Sequence, residues 1–110
     1  MAAPYGVELT QGAQDDLDAI HAHLTERGAA DEADRLLDAL LDRIEALEHF
    51  PHRGSVLQEL EPLGIRDFRQ LVLPPYRLIY RIFGQRVVIL LIADGRRDMR
   101  SLLEWRLLGR

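Results

Sequence analysis

The chain has 110 residues, 47% of them apolar, and a formal charge of −4 at pH 7. That is enough for one modest core, and it argues against nucleic-acid binding by bulk electrostatics. The absence of cysteine excludes disulfides and thiolate metal sites, and the absence of lysine excludes a lysine base or Schiff base.

Tyr5, Val7 and Leu9 alternate with Gly6 and Glu8, which predicts a short strand with one covered face. Thr10 is placed to cap a first helix in which Ala13, Leu17, Ile20 and Leu24 form a narrow apolar stripe that ends at Gly28. Asp15, Asp16 and Asp18 read as solvated charges that favour the start of that helix. Asp31 is the expected cap of a second helix, whose wider stripe runs through Ala33, Leu36, Leu37, Leu40, Leu41, Ile44 and Leu47 to Phe50-Pro51. So short a connection predicts an antiparallel helical hairpin.

Pro51, Gly54, Pro62 and Gly64 punctuate a stretch read as a surface loop. Three strands then follow, over 65–73, 76–83 and 86–93, with Gly84-Gln85 as a two-residue hairpin turn and Pro74-Pro75 at a sheet end. In the second of these, Tyr76, Leu78, Tyr80 and Ile82 make one apolar face, whereas Arg77 and Arg81 fall on the other. The third, VVILLIA, is apolar on both faces and needs cover from two sides. The helical hairpin can supply one. The other must come from a C-terminal helix over 99–108, capped by Asp98, or from a partner. The expected fold is therefore α+β in the order β-α-α-β-β-β-α: a hairpin of helices on a mainly antiparallel four-stranded sheet, one domain over 1–110, with a short terminal helix.

Charge divides the chain. Before Gly64, 14 acids face four arginines; from there on, 10 arginines face four acids. Planar guanidinium groups at Arg69, Arg77, Arg81, Arg96 and Arg97 suit phosphate or carboxylate partners, or ordinary pairing with Asp67, Asp94 and Asp98. Met99, Leu102, Leu103, Trp105, Leu107 and Leu108 are more apolar surface than so short a helix needs for itself. His21, His23, His49 and His52 lie in the first half without metal-ligand spacing, so neither metal nor cofactor is expected. The N-terminal MAAPYGVELT lacks the pattern of a signal peptide and no run approaches a membrane span, which predicts a cytoplasmic protein without a membrane partner.

The ordered pieces VELTQGAQDDLDAIHAHL, LEHFPHRGSVLQEL, FRQLVLPPYRLIYRI and VVILLIADGRRDMRSLLEWRL together resemble the ParE/RelE superfamily of toxin-antitoxin toxins, and within it the ParE branch. The resemblance implies a small toxin, neutralised by a co-expressed ParD-like antitoxin in a hetero-oligomer, that poisons DNA gyrase. RelE-like members instead cut mRNA in the ribosome with basic and proton-transferring side chains. This chain departs from that pattern: its last histidine is His52, its last tyrosine is Tyr80, and Asp94 stands where relatives often carry histidine. The expectation is thus a protein inhibitor without catalytic residues. Its target surface would use Arg96, Arg97, Leu103, Trp105 and Arg106, and its antitoxin seat Leu102, Leu107 and Leu108. The alternative, a ribosome-dependent endonuclease, would clamp RNA with Arg69, Arg77 and Arg81.

Overall fold

The computed structural model describes residues 3–109; Arg110, counted above with the basic half, lies outside them. The chain runs β1 (Gly6–Leu9), α1 (Gln11–Glu26), α2 (Ala30–Ala46), β2 (Ser55–Val56), a 3₁₀ turn (Glu61–Leu63), β3 (Phe68–Leu73), β4 (Tyr76–Phe83), β5 (Arg86–Asp94) and α3 (Met99–Leu108). The sheet has five strands in the order β1-β5-β4-β3-β2. β1 runs parallel to β5, and every other pairing is antiparallel. The α+β class holds, but the four-strand count is corrected: Ser55 and Val56 pair with Gln70 and Arg69 inside the expected loop. Two residues are too few to show a period. Similarly, 65–67 precede the strand expected to include them.

Thr10 caps α1, its hydroxyl accepting from the Ala13 N–H at 3.1 Å. Asp31 does not cap α2. The cap position is Ala29, without a side-chain bond, and Asp31 sits in the first turn. The two helices fold back across Arg27–Ala29, and His21 and Asp34 meet between them at 2.8 Å. Leu41 turns outward, so the stripe of α2 is narrower than expected.

One core lies between the hairpin and the sheet, formed by Leu17, Leu40, Leu47, Leu78, Tyr80, Val87, Ile89 and their neighbours. A second lies on the opposite face, where Met99 and Leu103 of α3 pack with Leu57, Leu60, Phe68, Ile79 and Leu91. The two-faced apolar strand is therefore covered on its second side by α3 and by the loop after α2. Tyr80 anchors that loop: its hydroxyl donates to the Pro51 carbonyl at 2.7 Å and accepts from the Gly54 N–H at 2.9 Å. Burial, opposed by the Gly54 hydrogen bond, raises its pKa.

Candidate functional site

The corner between β5 and α3 is pinned by short-range hydrogen bonds. Gly95 donates to the Pro75 carbonyl at 2.7 Å, and a Cβ there would stand 2.9 Å from Arg77 Cδ, so the turn needs glycine. Asp94 accepts from the Arg96 backbone at 2.9 Å and from its guanidinium at 2.5–3.2 Å. The Arg96 side chain first, then its backbone N–H, holds the Asp94 carboxyl down to about 2. Asp94 is consequently an anion at neutral pH, with no proton to give. Asp98 caps α3 through Ser101, whose hydroxyl (2.7 Å) and backbone (3.2 Å) lower its pKa as well.

The residues expected to form the target surface separate in three dimensions. Arg97 is exposed and makes no ion pair among the described residues, and Trp105 is 68% exposed. Arg96 is exposed but paired with Asp94. Leu103 is fully buried in the second core and does not present its side chain to a partner, and the Arg106 side chain, 22% exposed, is engaged with Asp16. Leu102, Leu107 and Leu108, the expected antitoxin seat, are half-buried at the margin of the second core.

Arg106 reaches back to Asp16 of α1 with two hydrogen bonds of 3.0 Å and to the Leu90 carbonyl at 3.1 Å. Asp16 in turn accepts from the Ile92 N–H at 3.0 Å. The reason lies in the sheet. β1 pairs with β5 only as far as Ile89, so the edge of β5 beyond it would leave backbone groups open. Asp16 and Arg106 close that edge and tie α1 to α3. The reading of Asp16 as a solvated helix-start charge is therefore wrong: it lies beyond the first turn and is 18% exposed. A signal was present, since Asp16 stands three after Ala13 and four before Ile20, on the buried side of the helix.

The sheet arginines are committed to their own domain. Arg77, 12% exposed, forks onto both oxygens of Glu59 at 2.6 and 2.9 Å and donates to Gln70 at 2.6 Å. Arg69 donates to the carbonyls of His52 and Gly54. Arg81 stands 3.5 Å from Asp67 and 4.7 Å from the centroid of the Phe83 ring. A cavity of about 350 Å³ opens beside the Arg77–Glu59 pair, bordered by Gln58, Gln70 and Val72.

A second cavity, of about 300 Å³, lies on the α1 side of the Arg97 corner. Asp16, Ala19, Ile20 and His23 line it from one face of α1, and Tyr76, Ile92, Ala93, Asp94 and Arg97 from the sheet end. His23, read only against a metal site, and Tyr76, read as part of an apolar strand face, come together with Arg97 in the fold, which brings an imidazole and a phenol to one cavity. Among the described residues, no group of three or more His, Asp or Glu is placed to hold a metal ion. No described helix is long and apolar enough to cross a membrane.

Comparison with known proteins places this geometry. Residues 7–99 match the family described as the ParE toxin of type II toxin-antitoxin system, parDE. Toxin ParE3 of Caulobacter vibrioides is 33% identical over 98 residues, covering 86% of this chain and 90% of its own. Among solved structures, the chromosomal ParDE system of P. aeruginosa superposes with a TM-score of 0.68 at 22% identity, over 84% of this chain and 98% of that one. The toxin-antitoxin complex RelBE2 of Mycobacterium tuberculosis gives 0.61 at 28% identity, over 83% and 98%. A free E. coli RelE mutant gives 0.64 at 12% identity, over 97% of both chains, a likeness of fold alone.

Proposed function

Because the chain belongs to the ParE toxin family of type II toxin-antitoxin systems, we propose that it arrests growth by inhibiting DNA gyrase and is held inactive by a cognate, ParD-like antitoxin. The observation that carries this reading is the match of residues 7–99 to the ParE family, beside the 33% identity to a curated ParE toxin. The side chains agree with it. Arg69, Arg77 and Arg81, the RNA clamp of the alternative, all have intramolecular partners, whereas Trp105 and Arg97 are presented to solvent. An exposed tryptophan and an uncommitted arginine are the residue types enriched in protein-binding hot spots. The relation to structures from a ParDE system and a RelBE2 complex supports an antitoxin as partner, and the site of action is the cytoplasm.

Supercoiling of relaxed plasmid by purified gyrase tests the proposal. The toxin in molar excess should stop supercoiling, and Trp105→Ala should weaken the inhibition by about 30-fold, the loss of a central aromatic anchor. Undisturbed supercoiling with folded toxin would refute it.

One observation favours a second reading. His23 and Tyr76 share the Arg97 cavity, and imidazole and phenol are groups that proton transfer at a phosphodiester could use. This is the ribosome-dependent endonuclease, an enzyme where the first reading is not. Primer extension on translated message during induction separates the two: codon-spaced cuts support the endonuclease.

A further inference from the structure

The cavity at the Arg97 corner can be read by counting charge. Asp16 has its counter-charge in Arg106 through two 3.0 Å hydrogen bonds, and Asp94 has its own in Arg96. Of the cations at this site only Arg97 is left without an ion pair among the described residues. The uncompensated charge of the cavity is therefore one guanidinium. Ile20, Ile92 and Ala93 make an apolar lining, and Tyr76 and His23 supply a hydroxyl and a ring nitrogen near it. At about 300 Å³ it stands at the small end of ligand pockets, roughly 300–1,000 Å³.

We propose that this cavity receives an anchor of the partner polypeptide, one apolar side chain with a carboxylate beside it. The inference rests on the reading above that the chain is held by an antitoxin, and it names the chemistry of one contact. A carboxylate is favoured over phosphate because a single planar guanidinium binds a planar monoanion with two parallel hydrogen bonds, whereas a phosphate dianion would keep half its charge unmatched. The apolar lining needs the adjacent side chain: a bare carboxylate would leave Ile20 and Ile92 wet and gain little over its own hydration. Occupancy would also remove Arg97 from any other surface. An acidic and apolar anchor at this point would thus occupy the one arginine of the corner left without an ion pair among the described residues.

The test uses the full chain and a small probe. N-acetyl-L-phenylalanine, which carries one carboxylate and one large apolar side chain, is titrated against labelled toxin and followed by NMR at His23, Ile20 and Ile92. Saturable shifts with a Kd of about 1 mM are expected, the range open to a fragment of this size. Its uncharged amide, and the acid against Arg97→Gln, should each bind about tenfold more weakly, the value of one charge-assisted hydrogen bond. In the antitoxin complex Arg97→Gln should speed dissociation by about the same factor. Lack of saturable shifts, equal binding of acid and amide, or unchanged binding to a folded Arg97→Gln toxin would overturn the pocket. Unchanged dissociation of the antitoxin would overturn its occupant. Neither arm measures gyrase, and the fragment arm does not involve the antitoxin, so failure of the functional reading shows separately.

Discussion

Replacing Asp16 by alanine removes three interactions at once: both hydrogen bonds from Arg106 and the acceptor of the Ile92 N–H. Breaking a buried ion pair costs about 3–5 kcal/mol. Here the side chains are 18% and 22% exposed, and screening by that solvent reduces the loss to about 2 kcal/mol. An orphaned Ile92 amide adds about 1 kcal/mol. The better helix propensity of alanine returns about 0.5 kcal/mol. The net expectation is a loss of about 2.5 kcal/mol, or a fall of about 1.5 M in the urea midpoint for a protein of this size. Asp15 and Asp18 accept only from exposed glutamines on their own helix, so alanine at either should change stability by less than about 0.5 kcal/mol. Urea unfolding followed by far-ultraviolet circular dichroism at neutral pH measures all three variants. A double-mutant cycle with Arg106→Ala should add a coupling of about 1–2 kcal/mol. The reasoning fails if the three aspartates behave alike, or if Asp16→Ala and Arg106→Ala are additive.

Other substitutions probe the remaining joints. Leu103→Ala should cost about 2–5 kcal/mol because it empties part of the second core, whereas Trp105→Ala should leave the unfolding midpoint within about 0.5 kcal/mol of the parent; thermal and urea melts compare them. Tyr80→Phe strips the partner from the Gly54 N–H and the Pro51 carbonyl, a loss of about 1–3 kcal/mol in the same melts. Gly54→Ala would bring a Cβ to 2.7 Å from the Gln70 carbonyl and 2.6 Å from the Tyr80 hydroxyl, so the loop must move, at about 1–3 kcal/mol. The Arg77 hydrogen bonds lower the pKa of Glu59. A depressed carboxylate pKa contributes stability above the unfolded-state value, near pH 4.3, that is lost as pH falls from there through the folded value. Glu59→Gln should be less stable at neutral pH and flatten that acid limb; parallel limbs in pH-dependent melts would contradict the assignment.

Legibility followed the length of the signal. Alternation in β1, the apolar stripe of α1, the Gly84-Gln85 turn and the two-faced strand β5 each repeat a local rule over several residues, and each stands where it was expected. Gly84 supplies its positive φ of 60° at the first turn position. Where the rule had only one or two residues to act on, it was silent or misleading. β2 is two residues long, and its pairing is made by β3 rather than by its own pattern. Asp31 has the right chemistry for a cap, but the cap position falls two residues earlier at Ala29, because the turn after α1 and not the best capping side chain sets the start.

The site was harder to read for the same reason. Arginines adjacent in sequence, Arg96 and Arg97, have opposite fates, one neutralised by Asp94 and the other uncommitted. Arg106 found its partner 90 positions away and His23 found Tyr76 across a cavity. The sequence by itself determined the element types, the two apolar faces of β5, the polarised charge and the family, since these depend on neighbours a few residues apart. Only the tertiary structure decided which charges cancel, which leucines are sealed and which groups meet at the Arg97 corner, because those depend on strand order and helix docking, and the energy of a charged side chain is set by whichever partner the fold brings to it.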